Sequence, residues 1–551
     1  MDAPSRTLAS YAHGASPIPL LGQTIGDNLR DTVARYGEVD ALIVRSQNYR
    51  ATYRQLWEVV TDAARGLLAL GVAAGDRVGI WATNCYQWVV TQYATARIGA
   101  ILVNINPAYQ ANELEYVLRQ AGVRVLLHGR GFRQTAYAPL LESVRPHCPE
   151  LQQVLALDTD WAGLLHSGQK VSIAALERRE AELQCDDPIN IQYTSGTTGL
   201  PKGATLTHHN ILNNGYFIGL ALGYSPRDRV CIPVPLYHCF GMVLGNLACT
   251  AHGACMVYPS ECFNALAVLQ TIDGERCTSL YGVPTMFRAL LEHPEFTHYN
   301  YTSLRTGIMA GAPCPIELMK QVVERLHMPQ VAIGYGMTET SPISTLSALE
   351  DPLERRVSTV GRVQPHIEIS VRDPATGRFV PRGTAGEFCT RGYSVMRGYW
   401  NDEAATNAAI DAAGWMHSGD LAVMEESGYV HIVGRLKDMI IRGGENISPR
   451  EIEEVLVTHP AVSEAQVIGV PSRKYGEEVM AWVRSRPGAT PSEEELTAYC
   501  RTRLAAFKVP RYWRFVESFP MTVTGKIQKF RLRQMAIELL GLQAEAAEKT
   551  A

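Results

Sequence analysis

Among the twelve cysteines of this 551-residue chain, no two stand in a CxxC spacing. That speaks against a zinc site or a disulfide framework, and in a chain of this size it reads as reduced, mostly buried thiols in a reducing compartment. An excess of one charge is missing too: 51 Lys plus Arg face 55 Asp plus Glu, leaving −4 with no long run of either sign. Nothing in that balance draws in nucleic acid. The start, MDAPSRTLASYAHGASPIPLLGQ, lacks a basic opening followed by an apolar core and cleavage site. A secretion signal is therefore not indicated, and a cytoplasmic location is expected. No internal repeat or low-complexity linker is present. Charge is also absent from Val230 to Ser260, a span long enough to raise the question of a transmembrane helix. Pro233, Pro235, Gly241, Gly245, Asn246, His252 and Gly253 interrupt it, which favours a helix buried inside a large domain.

What is present suits a globular chain, 46% hydrophobic and 19% charged, too long for a single core. Apolar runs alternate with helical patterns: VGIWAT at 78, ILVNIN at 101 and VRVLLHG at 123 read as buried strands. In NELEYVLRQAG, Asn112 and Glu115 have capping-box spacing, Leu114, Val117, Leu118 and Ala121 share one face, and Gly122 follows the end. Such alternation predicts an α/β fold with parallel sheets. Near Arg435–Asp438 the pattern changes. Ser448, Pro449 and Glu451, and again Thr490, Pro491 and Glu493, have the spacing of helix starts in a separately folding remainder. Two domains are expected, residues 1–435 and 436–551.

The segment YTSGTTGLPKG, residues 193–203, is dense in hydroxyls and glycines and has one lysine. It follows the apolar run INIQY and precedes the helix-like HHNILNNGYFIGLAL, so it is expected to join a strand to a helix. Glycines let successive backbone N–H groups turn towards one anion, while hydroxyls and Lys202 add donors and charge. A phosphate-holding loop and a flexible surface connection both fit that composition. The Walker A spacing is not met.

YTSGTTGLPKGA resembles the phosphate-loop signature of the adenylate-forming superfamily, which includes acyl-CoA synthetases, aryl-CoA ligases, luciferases and peptide-synthetase adenylation domains. Further segments resemble that family's motifs in the same order: AGAPCP at 310, GYGMTET at 334, GWMHSGD at 414, GRLKDMIIRGGENI at 434 and TGKIQK at 524. The resemblance implies a large N-terminal domain of several subdomains with mostly parallel sheets, and a small mobile α+β C-terminal domain. It implies a two-step reaction. A carboxylate attacks the α-phosphorus of ATP and releases pyrophosphate; a thiol then attacks the mixed anhydride and displaces AMP.

By the same resemblance Thr194, Ser195, Gly196, Thr197, Thr198, Gly199 and Lys202 hold the β- and γ-phosphates, and Glu339 supports Mg²⁺. One carboxylate with water and phosphate oxygens suffices for that ion. Thr338 lies near the phosphates, Tyr335 between Gly334 and Gly336 lies against adenine, and Gly311, Ala312 and Pro313 line the adenine slot. Asp420 and Arg435 correspond to the ribose-binding pair. Lys526 is the expected catalytic lysine, contacting the carboxylate and the α-phosphate; Lys529 reads as part of a basic face. His238, in PLYHCFGM, matches a gating position beside the acyl tunnel. Lys437 matches the pivot about which the small domain rotates between half-reactions, exchanging the TGK loop for RGGEN.

The segments YHCFGM at 237 and YGVPTMF at 281 are apolar, which suits a fatty or arylalkyl acid better than an amino acid. NPAYQANELEYVLRQAG resembles the medium-chain fatty acyl-CoA synthetase branch. No GG[HD]S segment for a carrier arm occurs, so coenzyme A is the expected thiol. The reading is a medium- to long-chain fatty acid–CoA ligase, monomeric or dimeric, with only transient membrane contact. Its rivals are an aryl- or arylalkyl-CoA ligase, a free-standing acyl-AMP ligase serving a carrier protein, and a nucleotide-binding regulatory protein.

Overall fold

The computed structural model describes residues 8–194, 200–312, 314–443, 445–522 and 527–547. Apolar runs too short for helices pair where both sheet faces are covered. VGIWAT, ILVNIN and VRVLLHG supply strands Arg77–Trp81, Ile101–Asn104 and Val123–His128, mutually parallel in a seven-stranded sheet. Across that sheet run Gly398–Tyr399, Lys202–Thr207, Pro188–Thr194, Ile101–Asn104, Arg77–Trp81, Val123–His128 and Gln153–Ala156. Only Lys202–Thr207 runs against its neighbours. A nine-stranded sheet has six parallel strands at its centre, in the order Gln330–Gly336, Thr306–Ala310, Ser279–Gly282, Arg229–Cys231, Cys255–Tyr258 and Asp40–Val44.

The loop beginning at Ser195 does not lead from a strand into a helix. Pro188–Thr194 and Lys202–Thr207 pair antiparallel, with Thr194 opposite Lys202, and helix His208–Ala221 begins only after the second strand. The stretch ATLT carries β-branched and apolar side chains and pairs on both sides, so it extends the sheet before the helix can start.

Helix starts also move. Helix Ala111–Ala121 is capped by Gln110 with Glu113, whose Oε2 accepts from the Gln110 N–H at 3.0 Å, rather than by Asn112 with Glu115. Its buried face is the expected Leu114, Val117, Leu118 and Ala121. Ser448 precedes helix Pro449–Val457, yet its Oγ donates to the Val433 carbonyl at 2.8 Å instead of capping. Helix Glu493–Arg501 is capped by Ser492, not Thr490. In each case several hydroxyls or amides compete, and tertiary contacts select among them.

The uncharged stretch is no single long helix. Strands Arg229–Cys231 and Cys255–Tyr258 flank a buried helical segment from Cys239 to His252, whose middle, Met242–Leu247, is wound as a π-helix. Among the described residues no helix is long and apolar enough to cross a membrane.

The chain forms two compact units. One contains Ala12–Ile369 and Thr390–His417, with the two large sheets. The other gathers the residues up to Tyr11, Ser370–Cys389 and everything from Ser418 onward. In this second unit, strands Glu445–Ile447, Ile440–Arg442, Gly476–Ser485 and Val462–Ser472 form a sheet, with Tyr512–Phe515 beside Gly476–Ser485. Its buried apolar cluster, including Ile440, Ile452, Leu456, Val467, Val479 and Trp513, draws only on residues beyond 439. A further five-stranded sheet, from Tyr11–His13 to Val430–Arg435, lies mostly in this unit, and the division runs through the ends of its strands.

Helix Tyr86–Ile98 of the large unit buries Arg97 almost completely, with Glu180 as its ion-pair partner and the Trp57 ring 3.6 Å away. A buried guanidinium left without its carboxylate is far more costly than the intact pair is favourable. Glu180→Ala should therefore lower stability by about 3–5 kcal/mol, read from the midpoint of urea unfolding. The double variant Arg97→Met/Glu180→Leu should recover most of the loss.

Candidate active site

In open parallel sheets, side chains that bind ligands gather beyond the carboxyl ends of the strands, where backbone groups and loops converge. Ala310 and Gly334 are in register at such ends, bringing the start of the GAP segment beside the GYG segment. Gly311 adopts φ +86° and is exposed with Ala312, while Pro313 lies outside the described residues. At Gly336 an added Cβ would fall 1.7 Å from the Pro342 carbonyl oxygen, so only glycine lets the chain fold back there. Gly334 is less confined, since an added Cβ would meet only the tip of the Ile343 side chain, Cδ1 at 2.9 Å, and Tyr335 between the two glycines is half-buried.

The turn Thr338–Thr340 that follows buries Glu339 to 6% exposure. Thr194, at the end of the first hairpin strand, donates to Glu339 Oε1 at 3.2 Å, and Tyr399 donates to the same oxygen at 2.9 Å. Burial, then the Glu339 charge, raises the Tyr399 phenol well above its ordinary pKa, so it remains a donor. Lys202, opposite Thr194, is exposed, with Nζ 5.1 Å from the Tyr399 ring centroid. Thr194, Lys202 and Glu339, 145 residues apart at the extremes, are thus gathered around one tyrosine. Ser195, Gly196, Thr197, Thr198 and Gly199 lie outside the described residues.

His238 caps the helical segment after it, its Nδ1 accepting from the Phe240 N–H at 3.2 Å. Cys239 Sγ lies 3.7 Å from His238 Nδ1 and 3.8 Å from Thr338 Oγ1. One buried thiol therefore links the candidate acyl gate to the candidate phosphate threonine. Phe240 stacks on Tyr281 with centroids 5.5 Å apart, which joins the two apolar segments assigned to the acyl pocket.

A chain of buried amides fixes this segment against the hairpin. Gln192 donates to Asn190 at 2.9 Å, Asn190 to Asn104 at 2.9 Å, and Asn104 to the Tyr237 carbonyl at 3.1 Å. Gln92 donates to the Met242 carbonyl at 3.0 Å, holding the first residue of the π-helix. These residues and Tyr399 were not anticipated from sequence. The signal available was polar amides inside otherwise apolar strands, in ILVNIN and INIQY; Tyr399 carried none.

The remaining candidates lie in the other unit. Asp420 and Arg435 are directly opposed on antiparallel strands, with Arg435 Nε 2.9 Å from Asp420 Oδ1. Asp420 is largely buried and Arg435 exposed. The Asp420 N–H donates to Ser418 Oγ at 3.0 Å, and Gly419 N–H to Glu387 Oε1 at 3.0 Å, so the strand around the aspartate is anchored. Lys437 is exposed in the single turn Leu436–Asp438 directly after the arginine strand. Lys526 lies outside the described residues. Lys529 is not a solvated basic face: its Nζ pairs with Glu453 at 2.6 Å, joining helix Lys529–Leu540 to helix Pro449–Val457.

The Glu339 carboxylate can be tested through its second donor. Tyr399→Phe removes one charge-assisted hydrogen bond and leaves the ring; binding of Mg·ATP, followed by calorimetry, should weaken about tenfold. Glu339→Gln should weaken it further, and an unchanged affinity in both would exclude this carboxylate from the nucleotide site.

The model of the AMP-binding enzyme family matches residues 29–400, and that of the AMP-binding enzyme C-terminal domain matches residues 451–526. YngI of Bacillus subtilis (strain 168), whose name places it among acyl-CoA synthetases, is 46% identical over 545 residues, covering 95% of this chain and 99% of its own. The mitochondrial medium-chain acyl-CoA ligase ACSF2 of Danio rerio is 43% identical over 554 residues, covering 97% and 91%. Among solved structures, the anthranilate CoA ligase AuaEII in complex with anthranoyl-AMP superposes with a TM-score of 0.81 at 28% identity, covering 94% of this chain and 98% of that one. The chain belongs to the AMP-binding enzyme family.

Proposed function

We propose that this protein is an AMP-forming acid–CoA ligase that activates fatty acids of medium to long chain. The observation that carries this reading is the gathering of Thr194, Lys202 and buried Glu339 at the strand ends, with His238 and its apolar neighbours tied to Thr338 through Cys239. Phosphate chemistry and an apolar acid are thereby served by adjoining side chains. Similarity to ACSF2 along nearly the whole chain supports a fatty acid.

In the first half-reaction the acid's carboxylate oxygen bonds to the α-phosphorus, and pyrophosphate leaves with the electron pair of the broken P–O bond. Lys202, Thr194 and the hydroxyls and N–H groups of residues 195–199 meet the negative charge that moves onto the leaving group. Lys526 bridges the attacking carboxylate and the α-phosphate, offsetting their repulsion. Glu339 fits a magnesium ligand: Thr194 and Tyr399 both bond Oε1, and among the described residues Oε2 accepts no hydrogen bond. Bound there beside the phosphates, Mg²⁺ would lower the charge that the carboxylate must approach. Asp420 accepts from the ribose hydroxyls, Arg435 donates to the sugar oxygens, and Gly311, Ala312, Pro313 and Tyr335 bound the adenine.

In the second half-reaction the thiol sulfur of coenzyme A attacks the acyl carbon, the bond to the AMP oxygen breaks, and the thiol proton passes to solvent. Lys526 would obstruct that approach, so a domain formed by residues 436–551 turns about Lys437 between the steps. The Leu436–Asp438 turn, following a strand and with Lys437 exposed, suits a pivot. Action in the cytoplasm accords with twelve free cysteines, nine of them buried.

AuaEII favours a second reading, an aryl acid as substrate, on a fold match at lower identity. Screening coenzyme A ester formation from acetate to palmitate, with benzoate and cinnamate, separates the two. The optimum should fall among medium-chain acids; an aryl optimum reverses the assignment. Pyrophosphate exchange without a CoA ester would point to an acyl-AMP ligase serving a carrier protein, and no exchange with any acid to a regulatory nucleotide-binding protein.

Two variants should divide the mechanism. Lys526→Ala should lower acid-dependent ATP–pyrophosphate exchange by about 10²–10³-fold while sparing thioester formation from supplied acyl-adenylate. Lys437→Pro, which fixes φ, should do the reverse, and equal loss in both half-reactions would remove the pivot.

A further inference from the structure

The hairpin that carries Thr194 and Lys202 at its tip has a second group of functional side chains at its base. Pro188 pairs with Thr207 there, so residues just outside the two arms are brought side by side although more than twenty positions separate them. Cys185 and Asp186 precede the first arm, and His209 is the second residue of the helix following the other. A thiol sulfur, a carboxylate oxygen and an imidazole nitrogen of these three residues all lie within 4.8 Å of one another.

Backbone bonds hold the group together. His209 N–H donates to the Cys185 carbonyl at 2.8 Å and His208 N–H to the Asp187 carbonyl at 3.3 Å. Asp187 Oδ2 accepts from the Gln184 N–H at 2.8 Å, closing the turn that presents Cys185 and Asp186. Cys185 and His209 are half-buried and Asp186 is exposed, so an ion has access from solvent. Among the described residues outside the group, the imidazole has one polar contact, to Asn213, and meets the Tyr393 ring edge-on with centroids 6.1 Å apart. Asn213 Nδ2, with two hydrogens, faces three acceptors, and its contact with His209 Nδ1 at 3.3 Å is longer than those to the His209 carbonyl at 3.0 Å and the Leu21 carbonyl at 3.1 Å.

We propose that Cys185, Asp186 and His209 form a site for one divalent transition-metal ion, with Zn²⁺ the best match, that clips the base of the hairpin. Sulfur, nitrogen and one oxygen suit Zn²⁺ and not Mg²⁺, and three protein ligands leave a fourth position for water. Binding forms the metal–sulfur bond and breaks the S–H bond of Cys185, whose proton passes to solvent. The site is separate from Glu339 and stands independently of the ligase reading. Cysteine spacing could not reveal it, because only one of the three ligands is a cysteine.

Cobalt(II) is the probe. Titrated into the full-length, metal-stripped protein, it should bind with one thiolate-to-cobalt charge-transfer band that saturates at one equivalent and that Zn²⁺, but not excess Mg²⁺, abolishes. In Cys185→Ser the band should be absent; in His209→Gln and Asp186→Asn the affinity should fall about tenfold or more. Circular dichroism of each variant establishes that it is folded. No thiolate band in the wild-type protein, or a band that survives in Cys185→Ser, overturns the proposal.

Discussion

A carboxylate buried as deeply as Glu339 must be compensated, and the way this is done organises the large unit. Its compensation comes from two hydroxyls, Thr194 and Tyr399, on the two strands that flank Lys202–Thr207, both directed at one oxygen. The backbone supplies the precision, because Lys202–Thr207 is paired on one side with the Thr194 strand and on the other with the Tyr399 strand. Three strands thus bring Thr194, Lys202 and Tyr399 to one place. The carbonyl of Glu339 is fixed as well, accepting from the Met396 N–H at 2.9 Å. A carboxylate so restrained can face a cation with its remaining oxygen without reorganising.

The same sheet positions the apolar side of the site. Gln192, Asn190 and Asn104 replace aliphatic side chains on strands whose neighbours are Ile, Leu and Val, and they are buried. Each amide satisfies the next, and the last meets the Tyr237 carbonyl, one residue before His238. A hydrogen-bonded polar chain in a low-dielectric core favours one register, whereas aliphatic contacts alone tolerate sliding. Held in this way, the π-helix at Met242–Leu247 is a fixed departure from α-helical winding next to the candidate gate.

Much of the candidate site was legible because its residues fall in short motifs that resemble those of one family. Glycines, hydroxyls and one lysine in YTSGTTGLPKG, and glycines around Tyr335 before a threonine and glutamate, have a chemical explanation in short stretches of chain. Strands also read well, since continuous Val, Ile and Leu runs in a parallel sheet leave little alternative. Helix starts read less well: Gln110 and Ser492 won over Asn112 and Thr490, and Ser448 was drawn to another backbone carbonyl. The strand Lys202–Thr207 was missed because pairing partners on both sides, not its own pattern, make it a strand.

The sequence by itself determined the alternating α/β architecture and the motifs with their order, and the resemblance of those motifs to a family singled out Thr194, Glu339, Asp420 and Arg435 as candidates. Those depend on local residue type and spacing, which sequence states directly. Tertiary structure alone decided that Tyr399 shares an oxygen with Thr194, that Cys239 stands between His238 and Thr338, and that Asp420 faces Arg435 across two strands. Such contacts join residues far apart along the chain, and strand register, set by the whole sheet, determines which side chains meet.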